Sequence, residues 1–239
     1  MNQCADPLPT RCREPRHSSA QSQGFRRKGD RTRPPGVSSG HHGVATVARM
    51  STSSTPIDLG RPVQGDVIDL ILDDHRRFES LMRQLRDSTS DRDAVRKALA
   101  ALHVAHAEAE EKHVYPKLRR KDAITEHEAE HGEEEHAEGH EAMLKVLELA
   151  GTDTQAFDDA VEELATALNH HLTEEELTIL NPAREEVGEQ VRAELGVAFA
   201  TERNQQLDDD CGAIDNVRRI VEAAEKKGLL DEDDEESED

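Results

Sequence analysis

Histidines stand where a helical core should be apolar. Over residues 64–180 the apolar residues recur at three- and four-residue steps, the period of an amphipathic helix, and in each of four such stretches histidine interrupts the stripe. Residues 64–87 align Ile68, Ile71, His75, Phe78 and Met82. Residues 91–119 align Val95, Leu99, Leu102, His106, Glu110 and Val114. Residues 125–149 align His136, His140, Met143 and Leu147, and residues 154–180 align Leu164, Leu168, His171, Glu175 and Ile179. The polar run Asp87–Asp91 and the break Gly151–Thr154, which ends in a good N-cap, separate the stretches, and Asn181-Pro182 is expected to end the last one. Four long helices with short joints predict an all-α chain whose residues 64–187 form an up-down-up-down four-helix bundle.

Composition narrows the function. A formal net charge of −22 argues against nucleic acid and anionic membrane surfaces as partners. One Tyr, four Phe and no Trp leave little for stacking bases or filling a β-sandwich. No apolar run is long enough to span a membrane. Three cysteines, Cys4, Cys12 and Cys211, form no disulfide or metal framework and suggest a reducing, cytoplasmic location.

The ends differ from the middle. Residues 1–60 carry a net charge of +5 and are rich in Ser, Gly, Pro and Arg, so they are expected to be disordered, or, over the first 49, not translated if synthesis begins at Met50. Residues 188–230 read as a helical extension with two short stripes, Val191/Leu195/Phe199 and Ile214/Val217/Ile220/Val221. These stripes pack either on the bundle or on a second copy of the chain, which would make a homo-oligomer. Residues 231–239, acidic except for Ser237, read as a solvated, disordered tail.

A step of four residues returns a side chain to nearly the same side of a helix. His106-x3-Glu110, His136-x3-His140 and His171-x3-Glu175 therefore each project from one side. A buried carboxylate costs several kcal/mol unless it is paired or bound to metal. Glu110 and Glu175 facing one interior would repel each other, and the inward imidazoles would need partners. A pair of metal ions meets all these needs, with imidazoles binding terminally and carboxylates bridging, in the place where bundles build such sites. The pattern also repeats: His106-x3-Glu110 and His171-x3-Glu175 are each followed by an apolar pair and then by Pro116 or Pro182. His103, His113, His127, His131 and His170 read as surface residues, and Phe78 and Met143 as plain core. Gly132 and Gly139 weaken the charge-dense run Glu126–Glu141, which metal would help to order. A ferritin-like Glu-x2-His site fits Glu110/His113 and Glu133/His136 but finds no counterpart on the first and last helices.

With these motifs in their order, and with Asp74-His75 and Tyr115-Pro116 beside them, residues 64–187 resemble the hemerythrin-like, or HHE cation-binding, family. The resemblance implies two iron ions with an oxo or hydroxo bridge, His75, His106, His136, His140 and His171 as terminal ligands, and Glu110 and Glu175 as bridges. Some members hold one histidine on the third helix; His140 is then preferred to His136, because Met143, Leu144 and Leu147 follow it at helical spacing. Glu174 and Glu176 replace Glu175 if the helix is rotated. Two six-coordinate irons offer roughly twelve positions, of which the ligands and the bridge fill about eleven. The open one would take a small diatomic or peroxide ligand: dioxygen, nitric oxide or hydrogen peroxide. Two functions stay open, a di-iron oxidoreductase that decomposes peroxide and a sensing or iron-storage module without turnover.

Overall fold

The computed structural model describes residues 57–230. The expectations for residues 1–56, a start at Met50 included, and for the acidic tail 231–239 lie outside the described residues. Among the described residues all regular structure is helical, and no helix is long and apolar enough to cross a membrane.

Helix α1 (Val67–Arg86) starts where Asp66 caps the Ile68 amide, and its last turn carries Arg83 and Arg86, which suit the negative end of a helix. Helix α2 (Arg92–Ala109) is capped by Asp91. It runs without a break into a π turn (Glu110–Val114) and then α3 (Tyr115–Arg119). Helix α4 (Glu126–Glu148) opens with a reciprocal capping box of Thr125 and Glu128. Helix α5 (Gln155–Glu175), capped by Thr154, also runs into a π turn (Glu176–Leu180) and then α6 (Asn181–Glu186). Asn181-Pro182 therefore does not end the fourth stretch. Proline removes an amide donor and crowds the preceding turn; the wide turn before it absorbs both effects, the Asn181 amide reaching back to the Glu176 carbonyl as the Tyr115 amide reaches Glu110 before Pro116. Helices α7 (Glu189–Asp208) and α8 (Ile214–Lys227) complete the chain, α8 closing at Gly228 in the left-handed conformation with φ 72°.

Helix α1 packs on α2 and α5, α2 on α4, and α4 on α5, so each of the four long helices has two of the others as neighbours. Helix α7 lies across α1 and α2, and α8 packs on α4. The stripes of residues 188–230 are thus turned onto the chain itself, with Leu195, Phe199, Val217 and Val221 buried. Ile57 and Leu59, inside the stretch expected to be disordered, pack against the core as the two apolar side chains of an otherwise polar strip. The core falls into two apolar clusters. One holds Phe78, Leu99, Leu102, Met143, Phe157 and Leu164, and the other Ile68, Ile71, Val114, Tyr115, Ile179 and Phe199. Along α1, His75 falls between Ile71 of one cluster and Phe78 of the other, and His106, His136 and His171 face it across the interior.

Candidate metal centre

The layer between the clusters is polar and buried. His75, His106, Glu110, His136, His171 and Glu175 are all at most 2% exposed, although histidine and glutamate are normally surface residues. Their inward atoms form two overlapping groups, each compact enough to hold a metal ion: His106, Glu110, His136 and His171, and His75, His106 and Glu175. Glu110 Oε2 stands 3.2 Å from His106 Nε2 and 3.3 Å from His136 Nε2. Glu175 Oε2 stands 3.0 Å from His75 Nε2 and 3.9 Å from His171 Nε2. The Nε2 atoms of all four histidines, both Glu110 oxygens and Glu175 Oε2 are buried without a hydrogen-bond partner. Orphaned donors and acceptors of this kind are rare because each costs free energy. A cation among them would satisfy all of them together, so the residues fit a metal.

The outer nitrogens show the same design. Each of the four imidazoles turns Nδ1 toward a carboxylate: His75 toward Glu176 at 2.9 Å, His136 toward Glu111 at 2.9 Å, His171 toward Glu135 at 3.2 Å and His106 toward Asp74 at 3.6 Å. A carboxylate on one ring nitrogen fixes the tautomer and aims the other nitrogen inward, as in metal-ligating histidines. The consecutive glutamates share one task on each long helix. Glu110 and Glu111 flank the two nitrogens of His136, and Glu175 and Glu176 flank those of His75. Both pairs sit at the start of a π turn.

Asp74 is itself anchored. Arg203, fully buried on α7, donates to both of its oxygens at 2.5 and 2.8 Å and gives its remaining protons to the carbonyls of Leu59 and Gly60 and to Asn204 Oδ1, while Arg77 donates to Asp74 Oδ1 at 3.1 Å. A buried guanidinium with a full set of acceptors is the arrangement in which such a pair holds together. Tyr115 stacks on His136 with its ring plane 8° away, and its hydroxyl donates to Glu175 Oε1 at 3.4 Å. Gly132 makes room for it, since a Cβ there would come 3.0 Å from the Tyr115 hydroxyl.

The protonation pattern keeps positive charge in the layer. Burial opposes a charge on His75 and His136, but the glutamates around them outweigh it and raise these imidazoles to about 9 and about 10. Burial lowers His106 to about 4 against the pull of Asp74, and lowers His171 with the charge of His136 adding to the effect. Burial and the neighbouring Glu175 charge push Glu110 up; for Glu175 the hydrogen bond and charge of His75 overcome burial and hold the carboxyl well below its usual range.

His140 joins neither group. It lies against His103, ring centroids 4.4 Å apart, and lines a cavity of about 130 Å³ between α4 and α8 with Glu111, Ala137 and Ile220. His103, expected at the surface, is buried: Gly139 leaves the space, because a Cβ there would stand 2.7 Å from the His103 ring. His127, His131 and His170 are exposed, and His113 faces Glu202 at 3.5 Å. Glu174 and Glu133, the alternatives for other registers, lie outside the layer. Sequence reasoning missed Glu111, Glu135 and Arg203, and it offered Glu176 as a replacement for Glu175 where the structure sets it against His75 Nδ1. The three glutamates stand next to a ligand candidate in sequence, and Arg203 continues the Leu195–Phe199 step by four residues, so a signal existed for each.

Comparison with known proteins agrees with this geometry. The family model for the Hemerythrin HHE cation binding domain matches residues 66–182. No curated protein and no solved structure matches the chain.

Proposed function

We propose that the chain carries a hemerythrin HHE domain whose polar layer holds two iron ions with an oxo or hydroxo bridge, and that the protein binds or reacts with a small oxidant: dioxygen, hydrogen peroxide or nitric oxide. The four long helices are read as an up-down-up-down bundle around that centre, in a cytoplasmic protein. The observation that carries the proposal is the convergence of four unpartnered Nε2 atoms on the carboxylates of Glu110 and Glu175. His75, His106, His136 and His171 would bind terminally, and Glu110 and Glu175 would bridge; His140 would join them only by turning away from His103. Two bound irons would supply an open coordination position and two electrons, which is what a diatomic ligand or a peroxide requires. Glu176, Glu111 and Glu135 hold protons at Nδ1 of His75, His136 and His171 and so keep their Nε2 atoms free to bind. The flanking apolar clusters exclude water from the layer, and Tyr115 holds its hydroxyl proton on Glu175 Oε1.

Metal analysis with optical spectra, before and after peroxide or oxygen is added, tests this reading. About two irons per chain are expected, with an absorption band that Glu110→Ala and Glu175→Ala abolish and Glu128→Ala keeps. Zinc alone in the purified protein would overturn it. Oxygen released on addition of peroxide would mark an oxidoreductase. Reversible binding without turnover would mark a sensing or storage module, a reading favoured by the Arg203–Asp74–His106 chain that ties α7 to the centre.

A further inference from the structure

Glu135 serves two places at once. Its Oε2 faces His171 Nδ1 in the buried layer. Its Oε1 points the other way, toward the surface, where His131 and His170 stand about half exposed. His131 and Glu135 are four residues apart on α4, so both project from one side of that helix, and His170 comes from the adjoining α5. Glu135 Oε1 is 3.6 Å from His131 Nε2 and 3.5 Å from His170 Nε2. One ligand atom from each of the three residues lies within 4.8 Å of the other two.

These separations do not mark hydrogen bonds, since Glu135 Oε1 has no hydrogen-bond partner. They match the edge of a metal tetrahedron: ligand atoms about 2.0–2.1 Å from a zinc ion stand about 3.4 Å apart. Glu135 is 4% exposed, and its Oε1 has no hydrogen-bond partner. A carboxylate oxygen buried in that state calls for a cation. His131 is also oriented for the task, because its Nδ1 faces Glu134 Oε2 at 3.5 Å and leaves Nε2 toward Glu135.

We propose that His131, Glu135 and His170 form a second metal site, at the surface between α4 and α5, that binds one divalent transition-metal ion of the zinc type. Two imidazoles and one carboxylate are the ligand set of an open zinc site, and the exposure of both histidines leaves a fourth position to solvent. The ion there lies one carboxylate away from His171. The site stands on its own donor atoms and does not need iron in the inner layer.

Equilibrium dialysis of the full-length protein against zinc chloride, with its inner metal in place, tests the proposal. The wild-type chain should retain one more zinc ion than the His131→Ala/His170→Ala variant, with the inner metal content the same in both. Equal zinc retention would overturn the proposal. The two substituted side chains are exposed, and far-UV circular dichroism checks the fold. Should the double variant misfold, His131→Asn alone must show the same loss of one ion, and retention of that ion would again overturn the site. Cobalt(II) gives a second readout: the difference spectrum between wild type and variant should carry the visible bands of a tetrahedral ion. Loss of iron from the inner layer with the extra zinc retained would count against the functional reading and leave this site standing.

Discussion

The two halves of the repeated motif look alike from inside the layer and unlike from behind. His106 with Glu110, and His171 with Glu175, occupy matching positions before a π turn and a proline. Behind His106 stands Asp74, clamped by an arginine with no exposure. Behind His171 stands Glu135, whose other oxygen meets two imidazoles about half exposed to water. The difference separates what a ligand pattern requires from what the surrounding chain adds to it. One half is locked into the body of the protein by α7, and the other is connected to the solvent.

The largest effect should come from breaking the locked half. Arg203→Met removes the two-pronged partner of buried Asp74 and leaves it only Arg77, 3.1 Å away, so it should destabilise the chain by about 3 kcal/mol, measured by denaturant unfolding. Adding Asp74→Asn should recover much of that loss, because the under-compensated charge is then gone. A double variant no better than Arg203→Met would show that lost packing, not charge, dominates.

On the open half the same logic predicts an effect on metal more than on folding. Glu135→Gln preserves shape and should lower the affinity of the inner centre for metal about 10–100-fold, the usual consequence of altering a carboxylate behind a ligating histidine. Competition with a chelator of known affinity gives the number. Unfolding of the chelated Glu135→Gln protein should shift far less than that of Arg203→Met.

The smallest effect should fall on both halves alike. His75 is raised by the glutamates of the α5 repeat and His136 by those of the α2 repeat. Their contribution to stability is full below pH 6.5 and is lost as the pH rises toward 9 and 10. His106 and His140 are lowered, to about 4 and about 3, so theirs is present above pH 6.5 and lost as the pH falls toward those values. The chelated protein should therefore melt highest near neutral pH and lower by a few degrees on either side, as thermal melts across pH would record. Bound metal, which replaces the protons, should flatten the alkaline limb.

Much of this was legible in the sequence. The start of α5 was legible at Thr154, because a short polar side chain before an apolar period caps a helix whatever lies around it. His75, His106, His171, Glu110 and Glu175 stood out because polar groups inside an apolar stripe need a reason. What stayed hidden depends on neighbours distant in sequence. Glu135 sits in a run so dense in charge that it reads as a solvated face, and only α5 crossing above it makes it a buried carboxylate. His103 lies beside a stripe, and it is buried only because Gly139 on another helix leaves it a hollow. Pro182 reads as a stop, since the single-residue widening that lets a helix pass a proline has no local signature.

The carbonyls of Leu59 and Gly60 and the guanidinium of Arg203 lie outside residues 66–182, yet the guanidinium those carbonyls hold clamps Asp74, inside them. The smallest piece of this protein able to stand alone is therefore larger than the domain its ligand motif delimits. Trimming a recombinant version to the family boundaries would remove Arg203 and leave the Asp74 carboxylate beside His106 with Arg77 as its remaining counter-ion. Anyone shortening the chain for crystallisation should cut no closer than the strip before α1 and the far end of α7.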